Sequence, residues 1–264
     1  MTRREEPVDI AIDGQHVAGT LVGPQERTDP MPGVLFVHGW GGSQAQYLAR
    51  AREAAALGFL CLVFDLRGHE RTKLQHETVT RADSLQDVLA AYDVLAKTRQ
   101  VDRDRIALAG SSYGAYLGAL ATGLRPVRWL SLRAPAIYRD AGWDLPKRRL
   151  HQDPGFAAYR ACAIGPADNR ALDACARFDG DVLIVESEHD SIVPHPVVAS
   201  YLAACANARS LTYRTIEGAD HGLSQERWKQ GYTAFLLRWL SEMTGSARAV
   251  PRRAAGATVR LPES

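Results

Sequence analysis

Apolar residues along this chain come in short, dense runs separated by longer stretches with helical spacing. Gly33-Val34-Leu35-Phe36-Val37, Phe59 to Asp65, Arg105-Ile106-Ala107-Leu108-Ala109, Val127 to Leu132 and Asp181-Val182-Leu183-Ile184-Val185-Glu186 have strand length and little alternation, the pattern of strands covered on both faces. Leu211 to Ile216 adds one more strand-like run. Between these runs, Gln44 to Leu57, Ser84 to Lys97, Pro196 to Cys205 and Gln225 to Met243 read as helices. The second of them repeats Leu85, Val88, Leu89, Tyr92 and Leu95 on one face, and the last carries Trp228, Tyr232, Phe235, Leu236, Trp239 and Leu240 in a stripe that reads as core packing. At the amino end, Val8 to Ile12 and His16 to Val22 flank Asp13-Gly14, a hairpin signal. Strands alternating with helices predict an α/β fold with a mostly parallel, doubly wound sheet flanked by helices.

The junctions between these elements hold the chemistry. Gly110-Ser111-Ser112-Tyr113-Gly114 joins the strand ending at Ala109 to the small-residue helix Ala115 to Leu120. A strand, a sharp turn and a helix around G-x-S-x-G is the sequence form of a nucleophile elbow, which holds a serine hydroxyl exposed on a strained turn while flanking glycines let strand and helix approach. Ser112 is the candidate nucleophile; Ser111 is an alternative placed at the strand end. A serine hydroxyl needs a base to take its proton and a carboxylate to orient that base. Just past the strand 181–186 lie Glu188-His189-Asp190-Ser191-Ile192-Val193-Pro194, where Asp190 is the candidate acid in competition with Glu186 and Glu188. After Leu211 to Ile216 comes Glu217-Gly218-Ala219-Asp220-His221-Gly222, and His221 is the candidate base, the one histidine of eight that follows the last strand. His189 and His195 are read as supporting or surface groups, and His38 as bonded within its own loop. Each group lies on a loop after a strand, at the carboxyl edge where open α/β sheets bind ligands.

With these motifs in this order the chain resembles the α/β-hydrolase family, in which nucleophile, acid and histidine follow the same sequence order. The likeness runs from about Pro32 to about Met243 and rests on His38-Gly39-Trp40-Gly41-Gly42, Asp65-Leu66-Arg67-Gly68-His69, the elbow, Asp190 to Pro194, and Ala219 to Gly222. The elbow is also similar to those of prolyl oligopeptidase-like enzymes. After Gly68 the chain departs from the family, carrying His69-Glu70-Arg71-Thr72 where a Gly-x-Ser is common, which leaves the shape of that loop open. The resemblance implies an oxyanion hole, here assigned to the backbone N–H groups of Tyr113 and, by position in the motif, Trp40. It also implies serine-based hydrolysis rather than the aspartate chemistry of some relatives. The expected function is cleavage of carboxylic esters through an acyl-enzyme. The alternatives are a small serine peptidase, for which the chain leaves no room for the large peptide-selecting domain of such enzymes, and a catalytically silent ligand-binding homologue.

From Ala134 to Asp179 no clear strand is present, and Pro135, Pro146, Pro154 and Pro166 punctuate short helical pieces, the look of a small cap inserted over the serine. Tyr138, Trp143, Phe156 and Tyr159 either line a substrate pocket or form the cap's own core, the reading favoured here; Arg139, Lys147, Arg148 and Arg149 either attract an anionic substrate or face solvent. Of the 264 residues, 1–244 are expected to form one domain, with 134–179 as its cap insertion and 245–264 a disordered tail. A net charge of +2 and the absence of a basic run interleaved with aromatics argue against nucleic acid as a partner. No signal-like or bilayer-length apolar run is present, so no membrane partner is expected, and a cytoplasmic protein acting on a small-molecule ester or related acyl substrate is the reading. Cys61, Cys162, Cys175 and Cys205 are read as buried free thiols. No H-E-x-x-H or cysteine–histidine spacing points to a metal, and no cofactor is expected.

Overall fold

A computed structural model describes residues 3–25 and 29–249. The chain opens with β1 (Arg3–Ile12) and β2 (Gln15–Pro24), an antiparallel hairpin turned at Asp13 and Gly14, both at positive φ. The core then alternates β3 (Met31–Val37), α1 (Ala45–Ala56), β4 (Leu60–Phe64), α2 (Arg81–Lys97), β5 (Val101–Ser111), α3 (Tyr113–Thr122) and β6 (Trp129–Arg133). The short helices α4 (Phe156–Ala161) and α5 (Arg170–Arg177) precede β7 (Asp181–Ser187), α6 (His195–Ala204), β8 (Ser210–Ile216) and α7 (Glu226–Ala249). One eight-stranded sheet results, in the order β1-β2-β4-β3-β5-β6-β7-β8, parallel from β4 to β8 with the hairpin antiparallel at one edge. This is the mostly parallel, doubly wound sheet expected from the alternation of elements, and it agrees with the α/β-hydrolase fold that the resemblance implies.

The two faces of the sheet carry separate cores. On one, Tyr47 and Ala51 of α1 and Tyr232, Leu236 and Trp239 of α7 pack on Val34, Phe36, Ala107 and Val185. On the other, α2, α3, α5 and α6 cover Leu35, Leu62, Leu108, Leu130 and Ile184. The predicted stripes account for this: Leu85, Val88, Leu89, Tyr92 and Leu95 are all buried, as are Trp228, Tyr232, Leu236, Trp239 and Leu240, with Phe235 packed at the margin. Helix α2 begins three residues earlier than the apolar spacing suggested, because Thr80 and Asp83 form a reciprocal capping box. Helix α7 continues to Ala249, past the expected start of the tail; residues 250–264 lie outside those described. Among the described residues no helix is long and apolar enough to cross a membrane.

The insertion after β6 is short helices and turns, as expected, and its aromatics pack inward. Tyr138 and Phe156 are buried and stacked with ring centroids 5.7 Å apart, and Trp143 and Tyr159 lean on the same core. Arg81, the first residue of α2, organises the segment: its fully buried guanidinium donates to the carbonyls of Arg139 (2.6 Å) and Ala141 (3.0 Å) and lies over the Trp143 ring. Of the thiols, Cys61, Cys175 and Cys205 are buried and free as expected, but Cys162 is exposed; it follows α4 on the outer side of the insertion, where no second layer covers it.

Strand β5 and helix α3 meet at the turn through Ser112 with no space for a side chain. A Cβ on Gly114 would fall on the carbonyl oxygens of Val37 and His38, and one on Gly110 would meet the backbone of Gly114 and Ala115. Because backbone cannot yield as a flexible side chain can, Gly114→Ala should cost at least about 2 kcal/mol in urea unfolding; a change within about 0.5 kcal/mol would show that this approach is not tight.

Candidate active site

Ser112 occupies the turn between β5 and α3 at φ 53°, ψ −115°, a conformation that L-residues rarely adopt and that costs on the order of 1–3 kcal/mol. Neighbouring backbone holds it there. The Ser112 amide donates to the carbonyl of Arg133 on β6 (2.8 Å), and the Ser112 carbonyl accepts from Ala115, Tyr116 and Ala136 at 3.1 Å. Ser111, by contrast, ends β5 in register with Arg133 and is buried.

His221 reaches Ser112 from the loop after β8, with Nε2 3.0 Å from Ser112 Oγ and Nδ1 2.7 Å from Asp190 Oδ2. Asp190 sits on the loop after β7, and its Oδ1 accepts the amides of Ile192 (2.8 Å) and Val193 (2.7 Å). Burial pushes the Asp190 pKa up, but the bonds from His221, Val193 and Ile192 outweigh it and hold the carboxyl below the usual range. An ionised Asp190 accepts the Nδ1–H, which leaves the Nε2 lone pair facing the serine hydroxyl. The other acids are engaged elsewhere. Glu186 accepts from His195 Nδ1 (2.9 Å) and Tyr213, while Glu188 accepts the Gly218 amide (2.7 Å) and so braces the loop that carries His221.

The glycine loop after β3 is held by a second loop, residues 65–69. His38 Nδ1 donates to the Gly39 carbonyl of its own loop (2.8 Å), as expected, while its Nε2 accepts the Leu66 amide of the second loop (3.0 Å) and so ties the two together. Burial lowers the His38 pKa to about 4, which keeps the ring neutral as this bonding requires. His69 does the same for Gly41: its Nδ1 faces the carbonyls of Leu66 and Arg67, and its Nε2 accepts the Gly41 amide at 2.9 Å. Burial also holds the His69 pKa below the ordinary histidine value. The loop itself is anchored by Arg67, whose guanidinium and amide both bond the carboxylate of buried Asp87. The Gly42 amide donates to Gly39 (3.0 Å), so the amides of Gly41 and Gly42 are both committed within the protein. The departure from the family pattern at His69 therefore has a structural consequence that the spacing of the motif did not reveal.

Trp40 faces the cleft, and its indole packs against His69, His76 and Tyr113. Lys147 of the insertion is fully buried behind it, with Nζ 4.9, 5.0 and 4.8 Å from the ring centroids of Trp40, Tyr113 and Tyr138. Burial pulls the Lys147 pKa down to about 7, with Arg81 and Arg160 adding repulsion. Of the insertion's other cations, Arg139 packs over Tyr159, while Arg148 pairs with Glu77 in solvent and Arg149 is exposed. The cleft beside Ser112 has a volume of about 420 Å³, and none of the four insertion cations or four insertion aromatics lines it. Its cations are instead Arg50 of α1, Arg133 of β6 and Lys229 of α7. Sequence reasoning missed all three. The available signals were an arginine on the apolar face of α1, three residues after Tyr47, and another ending the buried run Trp129 to Leu132.

The family model for the prolyl oligopeptidase family matches residues 43–247. The chain belongs to the prolyl oligopeptidase family. Among curated relatives of this family member, an uncharacterized protein of Mycobacterium tuberculosis is 28% identical over 218 residues, covering 79% of this chain and 69% of that protein. Among solved structures, a putative dienelactone hydrolase from Klebsiella pneumoniae matches with a TM-score of 0.69 at 17% identity, covering 92% of this chain and 100% of the other. The acylaminoacyl peptidase of Pyrococcus horikoshii also matches at 0.69, with 14% identity and coverage of 98% and 44%. At these identities the structural matches establish the α/β-hydrolase fold. This oligopeptidase-family chain is thus a member of a serine-hydrolase family, and its ester or peptide preference is a separate question.

If His69 shapes the glycine loop, His69→Phe, which keeps a ring but removes the acceptor for Gly41, should lower kcat for an activated ester at least tenfold, roughly. The outright loss of an oxyanion donor costs ~10²–10³. Wild-type kcat in a folded His69→Phe protein would show that the loop does not depend on this bond.

Proposed function

We propose that this prolyl oligopeptidase-family protein is a carboxylic-ester hydrolase that forms an acyl-enzyme on Ser112. The observation that carries the reading is the continuous path from Asp190 through His221 to Ser112, with contacts of 2.7 and 3.0 Å. In the first half-reaction Ser112 Oγ attacks the carbonyl carbon while His221 Nε2 takes its proton, and Asp190 stabilises the resulting imidazolium. The carbonyl electron pair moves to oxygen, where the amides of Tyr113 and Trp40 act as donors. This assignment is compatible with the commitment of the Gly41 and Gly42 amides elsewhere. Collapse breaks the bond to the leaving alcohol, which departs with the proton from His221. Water, deprotonated by His221, then attacks the acyl-enzyme, releases the carboxylic acid and restores Ser112.

A serine peptidase is the second reading, favoured by the family's own name and the likeness to an acylaminoacyl peptidase. Against an amine-terminated peptide stands the charge of the cleft: its described lining holds Arg50, Arg133 and Lys229 and no Asp or Glu, so a substrate ammonium would meet repulsion without a partner. A catalytically silent role is disfavoured because the three groups are present at reacting distance. The deciding experiment is a profile of purified protein on 4-nitrophenyl esters of graded chain length beside aminoacyl and N-acylaminoacyl anilides. Faster kcat/KM on the esters, unchanged by EDTA, is expected; faster turnover of the anilides would make it a peptidase.

The roles within the site predict a ranking. Asp190→Asn should reduce kcat by a factor near ~10⁴, the cost of the analogous change in a serine protease triad, because the amide favours the wrong imidazole tautomer. Glu188→Gln should cost far less, and the reverse order would move the acid to Glu188. For a neutral ester, kcat/KM should fall along a single-proton limb on acidification, since protonated His221 cannot accept the Ser112 proton. A rate that does not fall on acidification, with the protein folded and the chemical step still limiting, contradicts a histidine base.

A further inference from the structure

The cleft beside Ser112 gathers two buried guanidinium groups, neither of which forms an ion pair with a carboxylate among the described residues. Arg50 is 9% exposed and Arg133 is 6% exposed, and both guanidinium groups face the same space. Arg50 donates from Nε to Thr233 Oγ1 (2.9 Å) and from Nη1 to the Gln46 carbonyl (3.2 Å), and lies over the rings of Tyr47 and Tyr232, 5.5 and 4.8 Å from their centroids. Arg133 donates from Nη2 to Ser187 Oγ (3.3 Å) and to the His221 carbonyl, while its Nε is buried without a hydrogen-bond partner, as is the Tyr232 hydroxyl. Among the described residues no carboxylate forms an ion pair with either guanidinium. Burial pulls the Arg133 pKa below the ordinary arginine value and Arg50 adds repulsion. Tyr47, Tyr232 and Asp190 oppose that shift, but Asp190 is already held by His221. Lys229 stands at the rim, half-exposed and 3.4 Å from Glu226.

Two guanidinium groups that cannot shed their protons, buried side by side without a counter-ion, are a costly arrangement for a free protein. An anion in the cleft removes that cost, and a carboxylate matches it best. The bonds within the protein use Nε and Nη1 of Arg50 and Nη2 of Arg133, which leaves Nη2 of Arg50 and Nη1 of Arg133 to donate to the oxygens of a carboxylate. The position matters as much as the charge. The Arg133 guanidinium donates to the backbone carbonyl of His221 and lines the same cleft as Ser112, so this cation stands beside the reacting groups. We propose that the cleft is an anion subsite and that the ester cleaved at Ser112 carries a carboxylate, on its acyl or its alcohol side. The substrate class thus rests on the hydrolase reading above, whereas the subsite itself does not.

The test compares esters that differ only in that charge. On the acyl side, mono(4-nitrophenyl) adipate is set against 4-nitrophenyl hexanoate; on the leaving side, 4-carboxyphenyl hexanoate is set against its 4-carbamoylphenyl analogue. In at least one arm the carboxylate should raise kcat/KM by about tenfold or more, as expected for hydrogen bonds to a charged group, and Arg50→Gln should collapse that ratio. The wild-type ratio decides the matter even where Arg50→Gln does not fold, and Arg50→Lys provides a second variant, expected to keep part of the preference. Binding is measured separately by calorimetry on Ser112→Ala protein, with monomethyl adipate against dimethyl adipate. Tighter binding of the monoester supports the subsite independently of turnover. Ratios near one in both arms, together with equal binding of the two adipates, overturn it. Failure to turn over any ester while the monoester still binds more tightly overturns the hydrolase reading and leaves the anion subsite standing.

Discussion

No side chain fits between β5 and α3 where the chain turns through Ser112, and the rest of the site is arranged around that close approach. Gly110 and Gly114 let the helix start directly against the strand and against the end of β3, so Ser112 is forced into a conformation with positive φ. The strain is held by bonds on both sides: the Ser112 amide donates to the Arg133 carbonyl, and the amides of Ala115, Tyr116 and Ala136 donate to the Ser112 carbonyl. Because these partners sit on neighbouring strands and on the segment after β6, the serine hydroxyl is fixed by the sheet itself. The same close packing sets the end of β3, from which the glycine loop departs, beside the nucleophile.

Around this point the protein solves a recurring problem, keeping buried polar groups neutral or paired. His38 and His69 are kept uncharged by burial, and each uses its lone pair to take one backbone amide, which shapes the glycine loop without leaving a charge near the nucleophile. Arg67 is matched by Asp87, and Asp190 by His221 and two amides. Arg50 and Arg133 break that rule. Neither guanidinium has a carboxylate partner among the described residues and both line the cleft beside Ser112, which is why we read that cleft as a site for an anion.

Sequence patterns exposed what depends on local context. The elbow glycines, the loop after β7 and the loop after β8 each announce themselves through a few contiguous residues, and strand order then brings Ser112, Asp190 and His221 to one edge. What could not be read depends on burial and on partners far away in the chain. Arg50 and Arg133 look like ordinary surface cations until α1, β6 and α7 are assembled. His69 looks like a mere departure from a motif until the Gly41 amide lies 2.9 Å from it. The insertion's aromatics pack on one another, the reading favoured from the sequence, whereas Lys147 is enclosed by rings rather than facing solvent, and the cleft opens toward α1 and α7. The start of α2 was hidden for a different reason: its Thr80–Asp83 cap precedes the apolar repeat that signals the helix.

Covalent chemistry at Ser112 is the central claim, and a fluorophosphonate tests it without any assumption about substrate. Mass spectrometry of treated protein should find one adduct, on Ser112, in the wild type and in Ser111→Ala, and none in Ser112→Ala. An adduct that persists in folded Ser112→Ala, or one that maps to Ser111, would contradict the account.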